Sequence, residues 1–347
     1  MKYYLISLNG YGELLKKNFR GKSLFEYAKK DNFRALSGVG KWGYVHLGNS
    51  LEKSYCRLFA EEKDFPGEAF VRFSALKAKT DCSTFFLARF LTQVEGRVIE
   101  TDAVLSDKEA RGLLDALSAQ SGELEFFVSG KEIVAGFKKE LPAEPSVFPE
   151  NMKYKRFEEC LYKNKGLADV NALIDLSAKT LPENPINKVR DDLGEMAANL
   201  LWLWGQGRDA KIPPVSAEIN KETFYLPFEG NPMPLAELLG FEKIADISEG
   251  RDNSLIWLNS SLNAKEGASA WLKSFESLDR DILGKISGEF LDGKCRALFI
   301  FDGFMSPDVE IKNGWGVFMA SAEKTLFGIR FKKYFRNGNA VVKKFLG

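Results

Sequence analysis

The chain has 347 residues, 45% of them apolar and 28% charged, with a formal net charge of +1. That length accommodates two domains with cores of their own, and the mix is that of an ordinary globular protein. A charge so near zero offers no global field to nucleic acid or anionic membrane, and no apolar run approaches the ~20 residues of a membrane span.

Taken in order, residues Tyr3 to Leu8 predict a first strand ending at Asn9 and Gly10. The N-terminus reaches that turn too early for a secretory leader, so the expectation is a cytoplasmic protein. Helical patterns follow to Ala28 and from Asp31 to Leu36, and Lys41 to Leu47 predicts a second strand. Gly38 to Gly43 spells G-x-G-x-x-G, but after a helix and before a strand; a dinucleotide site needs the reverse order, so this is a turn. Phe85 to Leu91 and Gly96 to Thr101 read as strands, Ser106 caps a helix through Leu117, and Leu124 to Val128 and Glu132 to Phe137 read as two more strands. Leu141 to Pro149 is a proline-punctuated linker. Phe157 to Leu161 and Asp169 to Thr180 are helical in pattern.

Asn184-Pro185 opens a short helix, an N-cap residue followed by the ring tolerated in a first turn. Ile186, Val189 and Leu193 form one face of it, and Gly194 closes it. Asn199 to Trp204 is a continuous apolar run, suited to a strand buried on both faces, with Gly205-Gln206-Gly207 turning the chain at its end. Ser254 to Leu258, Arg296 to Phe301 and Trp315 to Met319 predict further strands, and Ala268 to Ile286 presents one helical face. Strands alternating with helices at both ends, around an α+β middle, predict an α/β core with an inserted domain. The expected division is core 1–70, insert 71–195 and core 196–347.

The stretch Asn184–Arg208 resembles a segment of the archaeal-type cofactor-independent phosphoglycerate mutases, whose pattern runs N-P-V-N, a charged helix, then W-L-W-G-Q-G. Gly21 to Ala28, Glu95 to Val98, Leu105 to Arg111 and Phe275 to Asp279 resemble further family motifs in the same order. The resemblance implies an alkaline-phosphatase-like mixed sheet flanked by helices, with an inserted α+β cap domain. It also implies two Mn or Mg ions, held by three Asp, three His and a nucleophilic Ser that carries the phosphoryl group.

The residues depart from that chemistry. The first metal-binding Asp position falls on Asn9, the D-x-x-x-H pair on Ser260 and Ala264, and the D-H pair on Asp302 and Gly303. The nucleophile turn falls on Gly48-Asn49-Ser50, with Asn49 at the serine position unless the loop is displaced by one residue, which would bring in Ser50. A site needing three histidines cannot be built from a chain with one, His46. His46 reads either as a partly buried strand residue or as a lone ligand or base. Glu68 stands where the family's phosphate-binding arginine should be, whereas Arg190 and Arg208 remain on motif positions as candidate anion-binding residues. Cys56, Cys82, Cys160 and Cys295 lack metal or redox spacing. The basic C-terminal stretch around Arg330 to Lys344 reads as a lysine-guarded edge or helix rather than a nucleic-acid surface. The expectation is therefore a catalytically degenerate homologue without a metal cofactor. It would bind a small polar or anionic ligand between the domains, or a protein partner, and neither nucleic acid nor membrane. The alternative is an active mutase or phosphatase-like enzyme with an altered site.

Overall fold

The computed structural model describes residues 1–9, 17–19, 22–37, 41–45, 51–60, 64–119, 124–228, 233–261, 267–302, 315–321, 334–335 and 338–346. The chain divides into two compact units, one formed by Met1–Phe65 with Ile212–Gly347 and the other by Pro66–Lys211. The first segment carries β1 (Lys2–Asn9), β2 (Lys17–Phe19), β3 (Lys22–Ser23), α1 (Leu24–Tyr27), α2 (Asp31–Ser37), β4 (Lys41–Val45) and α3 (Leu51–Phe59). The insert carries α4 (Glu68–Ala75), β5 (Thr84–Val94), β6 (Arg97–Glu100), α5 (Asp107–Ser118), β7 (Leu124–Ser129), β8 (Glu132–Phe137), α6 (Ala168–Thr180), α7 (Pro185–Asp192) and β9 (Leu200–Arg208). The last segment adds α8 (Val215–Ile219), β10 (Glu222–Pro227), α9 (Pro234–Leu238), β11 (Glu242–Lys243), β12 (Ser254–Ser261), α10 (Ala268–Leu278), α11 (Gly284–Leu291), β13 (Cys295–Asp302), β14 (Trp315–Ser321), β15 (Tyr334–Phe335) and α12 (Gly338–Leu346).

In the first unit eight strands form one sheet in the order β11-β10-β12-β1-β13-β14-β4-β15. β1 runs parallel to β12 and β13, and only β14 opposes its neighbours. A central parallel strand is covered on both faces, which is why Tyr3 through Leu8 are all buried rather than alternating. Tyr4, Ile6 and Leu8 point to the face packed with Phe33, Phe275 and Phe299. The other face meets α3 and α12, where Phe59 lies 5.0 Å from the Trp257 ring and Phe345 lies 5.7 Å from Tyr3. The result is the helix–sheet–helix sandwich that the alternating pattern predicts.

The insert has its own sheet, in which β5 pairs antiparallel with β6, β8 and β9, and β8 with β7. Ser106 and Glu109 complete a capping box on α5, as expected from Ser-x-x-Glu before an apolar run. Three expectations need correction. The run Leu200 to Trp204 is a fully buried strand, but it belongs to the insert's sheet beside β5, not to the second core segment. Helices α4 and α6 supply the cover on its two faces that its sequence demands. The units thus divide at 65/66 and 211/212, where the sequence suggested 70/71 and 195/196. Second, Gly205-Gln206-Gly207 does not end the strand; β9 runs on to Arg208 past an irregularity in its pairing with β5, where Gly205 takes φ +61°. Third, the proline-rich stretch is no domain linker. Its groups are pinned along β9: Gln206 Nε2 donates to Leu141 O (3.2 Å) and Pro142 O (3.0 Å), and Trp202 Nε1 donates to Val147 O (2.9 Å).

Candidate functional site

Five strands of the first unit, β11, β10, β12, β1 and β13, run the same way, so their carboxyl ends form one edge of the sheet. Crevices at such edges are where open α/β sheets bind ligands. β14 reverses direction and β4 reverses again, so β4 ends at this edge too; Asp302 pairs across with Trp315, which pairs with Val45. Two inter-strand steps of ~4.8 Å separate Asp302 from the residue at which β4 ends.

A buried polar network lies just inside the edge. Ser7 and Asn259 face each other across β1 and β12, and the Ser7 hydroxyl donates to Asn259 Oδ1 at 2.8 Å. The same oxygen accepts the Tyr55 hydroxyl at 2.8 Å, and Ser7 Oγ accepts Trp257 Nε1 at 2.9 Å. Asn259 Nδ2 reaches Ser261 Oγ at 3.4 Å. Ser7 and Asn259 interrupt apolar runs that are covered on both sides, so their groups must be bonded within the protein. Tyr55 sits one turn into α3, which ties the helix directly to this edge. Neither Ser7, Tyr55 nor Asn259 was singled out by the sequence reading; a polar residue inside a doubly buried strand was the available signal.

Asn9 ends β1 half-buried and pairs with Ser261. It lies on the Ser7 face, since strand side chains alternate. Ser260 is fully buried on the opposite face, beside Leu8. Asp302 is the last residue of β13, at the same edge as Asn9. His46, Asn49, Ser50, Ala264 and Gly303 lie outside the described residues. Cys56, next to Tyr55, is buried, and burial pushes its thiol up to about 12, so it is no thiolate nucleophile near neutral pH.

The two motif arginines lie in the insert. Arg190 is buried, and every guanidinium nitrogen is engaged: Nε donates to Met196 O (3.0 Å), Nη2 to Val104 O (3.0 Å), and Nη1 to Glu109 Oε1 (2.8 Å), with Glu195 at 3.0 Å. Four protein contacts thus hold the guanidinium within the insert. Arg208 is exposed at the end of β9, with its backbone N–H on Pro66 O at 2.8 Å. Arg89 pairs with Glu150 at 2.6 Å and lies over the Trp204 ring.

Among the described residues, three metal-ligating side chains come together at Asp81, Cys82 and Glu125 of the insert. A cation is already there, since Lys138 lies 3.2 Å from Asp81 and 3.9 Å from Glu125. An open cavity of about 700 Å³, lined among others by Asn220, Lys221, Arg251 and Asn253, lies at the amino ends of β10 and β12, away from the edge described above. Its cationic side chains have protein partners: Lys221 Nζ donates to Asn253 Oδ1 (2.8 Å) and Arg251 pairs with Glu222 (2.8 Å). No helix among the described residues is long and apolar enough to cross a membrane.

No family model matches the chain. Over 228 residues, 62% of the chain, it is 33% identical to a 2,3-bisphosphoglycerate-independent phosphoglycerate mutase of Methanosarcina barkeri. It is 22% identical to one of Methanothrix thermoacetophila over 61% of the chain. In both cases the match spans only 57% of the relative's length. Among solved structures, a cofactor-independent phosphoglycerate mutase from Thermoplasma acidophilum superposes with TM-score 0.57 and 16% identity, covering 99% of this chain and 98% of that one. A protein of Pyrococcus horikoshii superposes with TM-score 0.61 and 16% identity, covering 99% and 92%. The partial sequence similarity supports that family, and the chain has the fold of the cofactor-independent phosphoglycerate mutases: an alkaline-phosphatase-like mixed sheet between helices, carrying an inserted α+β unit.

Proposed function

We propose that the chain is a member of the cofactor-independent phosphoglycerate mutase family that does not build the two-metal centre and acts by binding. The observation that carries this reading is the single histidine in 347 residues. Two adjacent dications repel each other strongly and are held only by anionic and imidazole ligands. At the carboxyl edge of the sheet, the ends of β1 and β12 offer Asn9, Ser260 and Ser261, all neutral. Asn259 Oδ1 is spent on Ser7 and Tyr55, and Asp302 is the one carboxylate position retained. This donor set does not fit two divalent ions, and no catalytic step is derived through them.

The same edge suits a small polar or weakly anionic ligand, because amide and hydroxyl groups both donate and accept. Without metal charge a phosphate would need a cationic side chain such as an arginine. Metal content of dialysed protein and turnover of 3-phosphoglycerate test the reading directly. It expects less than one bound Mn, Mg or Zn per chain and no turnover with any of these metals added. Two retained equivalents with turnover would establish the rival, an active mutase or phosphatase with an altered site. A thermal-shift screen of phosphoglycerates, sugars and nucleotides then identifies the ligand class. A flat screen with a specific protein captured would point to a regulatory subunit.

A further inference from the structure

Four apolar side chains of the insert stand exposed around one buried arginine. Val104, Val189, Leu193 and Met196 are 75%, 56%, 70% and 50% exposed. Arg190 holds the carbonyls of Val104 and Met196, each at 3.0 Å, while its own helix α7 carries Val189 and is capped at its C-terminus by Leu193. Leu193 N–H bonds Val189 O at 3.1 Å, so these two residues share a helix face. Gly194, at φ +72°, closes the helix, and Glu195 N–H returns to Arg190 O at 2.8 Å. The end of α7 and the strands of chain on either side of the guanidinium are thus pinned as one platform. A lone exposed leucine needs no explanation, but several apolar side chains gathered on a pinned platform do.

The charges around it are unbalanced. In the chain Asp191 and Asp192 precede Leu193 and Glu195 follows it, and Asp102 and Asp107 lie within three residues of Val104, all exposed, against the exposed Lys108, Arg111 and Lys188. Arg190 is buried beneath the surface and its charge is taken up by Glu109 and Glu195. A two-fold contact between copies would set this acidic rim against itself, which disfavours a second copy as the occupant. We propose that this surface docks a cationic amphipathic segment of another protein, its apolar side on Leu193 and Met196 and its lysines or arginines on the carboxylate rim. Apolar contact then supplies affinity, and the rim supplies the on-rate and the choice of partner.

The test uses the full-length chain and a labelled amphipathic helical peptide of leucine and lysine, with a leucine and glutamate counterpart as control. Anisotropy titrations should show binding of the cationic peptide alone. The double variant Leu193→Ser/Met196→Ser should weaken it about tenfold. Asp191→Asn/Asp192→Asn should weaken it several-fold and flatten its dependence on salt. All four substituted side chains are at the surface, and unchanged unfolding curves will show that the variants fold. Equal binding of both peptides, binding of neither, or cationic binding untouched by the serine variant overturns the proposal. Concentration-dependent self-association abolished by that variant would overturn it too, by assigning the patch to a second copy.

Discussion

Arg190 Nη1 donates to Glu109 Oε1 at 2.8 Å, and Glu109 closes the capping box of α5 through Ser106. The hydroxyl and backbone N–H of Ser106, at 2.6 and 2.8 Å, and then Arg190, hold the Glu109 carboxyl down to about 2 from its ordinary value near 4.5. A depressed carboxylate stabilises the fold above its unfolded value, and that contribution is lost as pH falls from 4.5 through about 2. Arg190→Ala removes four polar contacts at once and is expected to destabilise the fold by about 2–4 kcal/mol. Urea unfolding at neutral pH checks the size. Acid titration of the variant should show Glu109 losing its charge at higher pH than in the parent.

Asp279 is a second helix-terminal device. It is buried at the end of α10, where Oδ1 accepts Phe33 N–H at 2.7 Å and Oδ2 accepts Asn32 N–H at 3.3 Å. These donors belong to the first turn of α2 and have no partner within the helix. Asp279→Ala orphans them, with an expected loss of about 1–3 kcal/mol. Burial nevertheless raises the Asp279 carboxyl above its ordinary 3.8, against the bonds from Phe33 and Asn32. Between 3.8 and that raised value the native chain keeps a proton the unfolded chain has lost, so this group makes stability fall as pH rises through the window. Chemical unfolding between pH 3 and 7 should show that segment in the parent and not in the variant.

At the sheet edge, Ser7→Ala leaves Trp257 Nε1 without its acceptor and removes one donor from Asn259. The expected loss is about 1–3 kcal/mol, and Tyr55→Phe should cost about 1 kcal/mol. Because both hydroxyls converge on Asn259 Oδ1, the two losses should not add. A double-mutant cycle should give a coupling of at least about 0.5 kcal/mol, whereas independent sites would sum.

Gly207 tests the packing of the insert. A Cβ there would lie 2.5 Å from the Phe70 backbone nitrogen and 2.9 Å from Pro66 O, both main-chain atoms that cannot rotate aside. Gly207→Ala should cost about 2–4 kcal/mol by forcing α4 away from β9. Thermal unfolding of the variant checks this; a melting temperature like the parent's would mean that α4 yields without cost.

The strands and caps were legible because local chemistry specifies them. Asn184 accepts Ile186 N–H at 3.0 Å, and β12 and β13 fall where the apolar runs lie. The partner of β9 was not legible, since a run buried on both faces says that it needs cover and not which sheet provides it. Val189 and Leu193 have helical spacing but are exposed, because spacing fixes which residues share a face and not whether that face is covered. Arg190 shows the same limit at the candidate site. Its motif position suggested an anion, while the carbonyls of Val104 and Met196 that claim it are far from it or irregular in sequence, and only the fold brings them together.

The hydrogen bond from Arg208 N–H to Pro66 O brings together the two places where the chain enters and leaves the insert. Unlike a tethered extension, a module whose ends are a single bond apart can be excised without stretching either cut end. It also contains its own apolar cluster, from Phe86 to Trp204. Residues 66–211 should therefore fold as a free-standing protein, and a short glycine bridge from 65 to 212 should replace them in the host. Such an arrangement lets the inserted part be exchanged or lost over evolutionary time while the sheet that hosts it keeps its strand order.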